Sequence, residues 1–172
     1  MCRYLHEDKA QGLIIEVNVV DQIPETEISV LFNLAWGSQD ILEAYEVMTS
    51  VFGGDDELAQ FLNEIKLRRQ EFADGVAKAL VMHGQEPPAT SQEIVLHRLL
   101  RNLRSAATKR MKLAALGSLV DCEEAMTRFY LIQLDYKVSE GIKRLVDAQV
   151  EQTIADHDRL SDMLRLASTP TS

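Results

Sequence analysis

The chain has 172 residues, 46% apolar and 26% charged, with 27 acidic against 18 basic side chains and a net charge of −9. That length suits one domain whose core needs no disulfide staple, and the acidic balance speaks against a sequence-independent grip on nucleic acid or on an anionic membrane. Cys2 and Cys122 make no CxxC pair, the start "MCRYLHEDKAQ" has no apolar signal-peptide core, and no run approaches a membrane span, so a cytoplasmic protein without membrane insertion is expected.

Residues 1–25 read differently from the rest. "GLIIEVNVV", residues 12–20, is dense in β-branched side chains and reads as a short strand or extended segment, closed by "DQIP". Nothing later reads as a strand. The segment could serve as an oligomer contact, pairing with its own copy in a second subunit, lie against the helices, or be less regular than its composition suggests.

Residues 26–167 form the expected bundle domain, and residues 168–172 a small polar tail that frays. Thr26 caps a first helix with Ile28, Leu31, Ala35, Leu42, Tyr45 and Phe52 on one stripe. "GGDD", residues 53–56, stops it and gives the next helix an acidic start. That second helix carries Leu58, Leu62, Ile65, Phe72, Val76 and Leu80, and ends at Gly84. The prolines of "QEPPAT" enforce a loop, after which Thr90 or Ser91 opens a shorter third helix over residues 91–107, with Glu93 completing a capping box on Thr90. A fourth helix, residues 111–136, lines up Ala115, Leu119, Cys122, Met126, Phe129 and Tyr136, with Met111 also in its packed stripe. Ser139 caps a fifth, whose stripe is Ile142, Val146, Val150, Ile154, His157, Leu160 or Ser161, and Leu164. Four long helices with short links, plus one long crossover carrying a short extra helix, make an all-α fold with the layout of a ferritin-like four-helix bundle.

Such bundles build metal centres from inward-facing carboxylates and Glu-x-x-His pairs. Glu43 shares a line with Phe32, Trp36, Val47 and Val51, and Glu123 with Leu116, Leu119, Met126 and Tyr130. Glu71 and Asp74 lie at the edge of the second stripe, and His157 on the fifth. Together Glu43, Glu71, Glu123 and His157 resemble a di-metal site for iron, manganese or zinc with parts missing, since aspartate stands at 74 and isoleucine at 154 where histidine and glutamate would be needed. The same residues have a plainer reading. Arg68 and Arg69 sit near the second helix's buried line, and a buried arginine demands an acid, so an interior ionic network needs no cofactor. No P-loop, GxGxxG or triad constellation is present. The basic stretch "RLLRNLRSAATKRMK", residues 98–112, could meet an acidic partner or RNA, but such a face on an acidic protein is more often only solvated.

From residue 57 to residue 165 the chain resembles an uncharacterised bacterial family of ferritin-like four-helix-bundle proteins, through "LRRQEFADGVAKALVMHGQEP", "DCEEAMTRFYLIQLD" and "ADHDRLSDML". The resemblance rests on Arg68, Arg69 and Phe72, then Glu123 and Glu124, then His157, Asp158 and Arg159, and it implies the bundle without implying an activity. Two functional readings follow. One is a non-enzymatic bundle acting through protein contacts, as a homo-oligomer or a subunit of a larger assembly, without nucleic acid. The other is a ferritin-like metal-binding or oxidative-stress protein.

Overall fold

The structure, a computed structural model, describes residues 19–52, 56–93 and 95–169. They form five helices: α1 (Val19–Phe52), α2 (Asp56–Met82), α3 (His97–Thr108), α4 (Lys112–Leu134) and α5 (Glu140–Ser168). The four long ones follow one rule of spacing, with buried positions advancing in alternating steps of four and three. In α1 these are Glu27, Leu31, Leu34, Ser38, Ile41, Tyr45 and Met48, and in α2 Leu58, Leu62, Ile65, Arg69, Phe72 and Val76. In α4 they are Leu116, Leu119, Glu123, Met126, Tyr130 and Gln133, and in α5 Ile142, Val146, Gln149, Thr153, Asp156 and Leu160. Steps averaging 3.5 residues keep one seam facing the neighbouring helices along its whole length.

α1 runs beside α2 and α4, and α5 beside α4 and, less closely, α2, so the helices enclose the core in the order α1, α2, α5, α4. Glu27, near the start of α1, meets His83, just past α2, and Ser139, just before α5. Neighbouring long helices are therefore antiparallel, and the chain between α2 and α4 must return along the bundle. α3 is the second half of that return, laying Leu100, Leu103, Ala106 and Ala107 against α1 and α4. Two helix ends close with paired backbone bonds around a left-handed residue. Gly84 (φ 71°) does so after α2, with Gln85 N–H donating to Leu80 O and Gly84 N–H to Val81 O. Arg110 (φ 54°) does so after α3, with Met111 N–H donating to Ala106 O and its own N–H to Ala107 O.

The all-helical expectation holds, with differences that have physical causes. The strand expected at residues 12–20 lies outside the described residues up to 18, while Val19 and Val20 open α1, ahead of Pro24 and Thr26. α3 starts at His97 rather than near Ser91, because its first amides are capped from another helix, as described below. In α5 the expected stripe through Ile154 and His157 drifts off the true seam, and Ile154 is 46% exposed. Stepping by fours through apolar residues rotates around the helix, whereas the seam itself carries Gln149, Thr153 and Asp156. Met111 is exposed because it lies in the α3–α4 turn, Tyr136 is exposed beyond α4, and Phe129 is half-buried. No described helix is long and apolar enough to cross a membrane.

Gly37 brings α1 close to α4. A Cβ there would stand 2.7 Å from Phe129 Cε1 and 3.1 Å from Met126 Cε, whereas at Gly75 the nearest atom is Leu145 Cδ1 at 3.3 Å. Alanine gains about 1 kcal/mol of helix propensity over glycine, but overpacking costs about 1–3 kcal/mol. Gly37→Ala should therefore lower the urea midpoint and Gly75→Ala should raise it. Equal gains at both positions would show that α1 and α4 do not approach so closely at Gly37.

Candidate functional site

Halfway along the bundle each long helix contributes one polar side chain to a single level of the core. Arg69 of α2 occupies a seam position and is 1% exposed. Its Nη2 donates to Glu123 Oε2 at 2.8 Å and lies 3.1 Å from Asp156 Oδ2, while its Nε donates to Glu123 Oε1 at 3.3 Å. Tyr45 Oη of α1 donates to the same Glu123 Oε1 at 2.5 Å. Arg68, next to Arg69 but partly exposed, donates from Nη2 to Asp156 Oδ1 at 2.5 Å. Two guanidinium groups thus face two carboxylates, and the layer is neutral as a whole. One level towards the start of α1, the Tyr130 hydroxyl lies beside Gln149 and Ser38. Phe72 packs edge-on against its ring, with centroids 5.3 Å apart.

The environment fixes the protonation states. Burial alone would push the Arg69 guanidinium down, but the Glu123 carboxylate outweighs it and holds Arg69 above its ordinary value. Burial, then the charge of Glu123, holds the Tyr45 phenol well above its ordinary value, so it stays a donor. Burial likewise raises Tyr130, and pushes the Cys122 thiol up to about 12, far from the reactive thiolate range.

Two further carboxylates of α1 tie the helix ends together. Asp40, fully buried, accepts Val95 N–H at 2.8 Å and Leu96 N–H at 3.0 Å, and Ser91 Oγ donates to its other oxygen at 2.5 Å. A helix start leaves four amides without partners and favours negative charge. Asp40 supplies both acceptor and charge across the bundle, in place of the cap expected from Thr90 or Ser91. Glu27 accepts Ser139 N–H at 2.5 Å and stands 3.1 Å from His83 Nε2.

The four residues singled out as a metal set occupy four environments. Glu123 belongs to the ionic layer. Glu43 pairs with Arg104 of α3, which also donates to Glu93 at 2.8 Å. Glu71 is exposed, as is Asp74, which accepts from Gln70. His157 is half-buried with Nδ1 3.3 Å from Asp158 Oδ1, its neighbour in sequence, while Asp156 takes the seam. Among the described residues no three His, Cys, Asp or Glu side chains converge as a metal site requires. An interior ionic network is present; of the two acids expected to serve His157 or the two arginines, Glu123 pairs with Arg69, whereas Glu43 pairs with Arg104 of α3. Asp156 escaped the pattern reading, and Tyr45 was read only as part of the apolar stripe of α1; the alternating three- and four-residue spacing is the signal that places both on the seam.

The outer face of α3 and the turn after it carry Arg98, Arg101, Lys109 and Arg110, all exposed and without an ion pair among the described residues. Compared with protein-family models, with curated proteins and with solved structures, the chain gives no significant match.

Removing Arg69 alone would strand Glu123 in the core. Arg69→Met should cost about 3–5 kcal/mol, and adding Glu123→Gln, which keeps an acceptor for Tyr45, should recover a substantial part. His157→Gln should change neither stability nor metal content. A stoichiometric metal that disappears in His157→Gln would contradict this placement of the histidine.

The tyrosines set an alkaline limit. Their folded-state pKa values lie above the unfolded value of about 10, so the stability they contribute is complete below about pH 10 and declines as pH rises towards the folded values. Chemical denaturation across this range should show stability falling above about pH 10, and less steeply in Tyr45→Phe. An unchanged slope in Tyr45→Phe would remove that residue from the account.

Proposed function

We propose that this chain is a non-enzymatic helical-bundle protein that acts through contacts with other proteins, as a homo-oligomer or as a subunit of a larger assembly in the cytoplasm. The observation that carries the reading is the basic face of α3. On a chain of net charge −9, four exposed cations stand without carboxylate partners among the described residues. Met111, 52% exposed, and Leu113, 44% exposed, adjoin them, so the surface offers apolar area beside charge. Arg110 adds a second indication. It holds the left-handed position that closes α3, where glycine is the ordinary occupant and a side chain costs about 1–2 kcal/mol. Keeping a cation there favours recognition over stability.

A ferritin-like scaffold belongs to the same proposal. Two antiparallel hairpins joined by a helix-bearing crossover support it. In the interior Arg69, Glu123, Asp156 and Tyr45 bond to one another, while Arg69 Nη1, Tyr130 Oη and Gln149 Nε2 are buried without a hydrogen-bond partner.

A photo-reactive residue placed at exposed Asn102 of α3 should form protein adducts in cells that survive ribonuclease, while one at exposed Lys78 of α2 should form few. Arg110→Gly should raise stability by about 0.5–1 kcal/mol and reduce the adducts at position 102. Adducts sensitive to ribonuclease, or equal yields at 102 and 78, would overturn the reading.

A further inference from the structure

Opposite the basic face, on the α2–α5 side of the bundle, lies a surface of the contrary sign. Where α2 begins and α5 ends, Phe61, Met163 and Arg159 line a cavity of about 330 Å³ together with Glu57, Glu64 and Asp162. Its floor is aromatic, and the Arg159 guanidinium lies 4.3 Å from the Phe61 ring centroid. This cleft already holds one guanidinium on an aromatic surface within an acidic rim. Glu57 and Glu64 are exposed, and neither has an ion pair among the described residues. Seven residues apart, they share one flank of α2.

We propose that this cleft is the docking site for the basic α3 face of a second copy of the chain, with Arg98 and Arg101 of the incoming copy set against Glu57 and Glu64. This rests on the protein-contact reading above and names the partner. Three observations favour a second copy over an unrelated basic protein. The two surfaces have opposite charge, and Arg98, Arg101, Glu57 and Glu64 have no ion pair among the described residues, whereas Asp162 of the rim pairs with Arg165. The surfaces also share one half of the bundle, since α3 opens beside Asp40, midway along α1, and finishes where α4 starts, beside the start of α2 and the end of α5. Finally, they face opposite ways, α3 covering α1 and α4 while the cleft lies between α2 and α5. One copy can therefore stack behind the next, offset along the bundle axis so that Arg98 and Arg101 reach Glu57 and Glu64. Two acidic chains repel each other except in the orientation that brings the basic face to the cleft, which makes the contact directional. Different patches meet, so the contact is head-to-tail and builds rings or chains rather than a two-fold dimer.

Light scattering of the purified chain tests this at about 50 mM and about 500 mM salt. Mass should rise with protein concentration at low salt and return to the monomer value at high salt. Arg98→Glu/Arg101→Glu and Glu57→Lys/Glu64→Lys should each weaken self-association by at least about tenfold. An equimolar mixture of the two variants should associate again, because each now presents what the other lacks. All four positions are exposed, and circular dichroism verifies folding. The milder Arg101→Ser and Glu64→Gln replace any pair that fails to fold. The proposal falls if the parent chain stays monomeric at low salt, if the cleft variant associates like the parent, or if the mixture stays monomeric. A monomeric parent whose position 102 still captures another protein in cells would sink the self-contact and leave the protein-contact reading intact.

Discussion

A guanidinium that cannot reach water must find carboxylates, and in this bundle that demand sets the relative positions of three helices. Arg69 sits at the middle of the α2 seam, fully withdrawn from solvent, and its two acids arrive from α4 and α5. Sliding α4 or α5 by one turn would move a carboxylate about 5.4 Å away from the charge it neutralises. Apolar layers above and below tolerate such slips far better, since one leucine replaces another at little cost. Tyr45 extends the same constraint to α1 through Glu123. The layer therefore contributes register more than net stability, as buried ion pairs commonly do against well-packed apolar alternatives.

α1 has a second role as the source of acids for other elements. Asp40 caps the amides that open α3, and Glu27 receives the amide that opens α5. Neither α3 nor the crossover before it has a core of its own. Both are held by leucines laid on α1 and α4 and by this one carboxylate from the middle of α1. The surface ion cluster of Glu43, Arg104, Glu93 and His97 continues the attachment outward. Glu93 has a left-handed backbone (φ 51°), and its hydrogen bonds with Arg104 first and then with His97 hold its carboxyl below the ordinary value.

Much of the fold was legible because large apolar residues dominate the pattern. The stripe of α2 read correctly at Leu58, Leu62, Ile65, Phe72, Val76 and Leu80, with the gap at Arg69 recognised as a buried arginine in need of an acid. α5 was misread for the complementary reason. Its seam carries an amide, a hydroxyl and a carboxylate in succession, and hydrophobicity cannot find a seam made of polar groups. Ile154 and His157 looked interior because they sit one position away from Thr153 and Asp156. The start of α3 was illegible for a different reason, its cap being 55 residues distant in sequence. Long-range caps leave no local signature, whereas the Ser139 cap of α5 does, and it was read correctly. The candidate metal set failed to converge because Glu43 faces α3 and Glu71 faces solvent, distinctions that helical periodicity alone does not resolve.

The ionic layer also bears on the order in which the chain is made. α1 and α2 leave the ribosome first, forming a hairpin whose Arg69 has no anion until Glu123, 54 residues later, has been synthesised. Arg68 waits 88 residues for Asp156. Until then both guanidinium groups stay hydrated, and a hydrated arginine in the middle of the apolar seam opposes its closure on itself or on a neighbouring nascent chain. Only arrival of the α4–α5 hairpin, bringing both carboxylates, removes that obstacle. The same residue that fixes register in the finished bundle keeps the first hairpin open while the second is still being made.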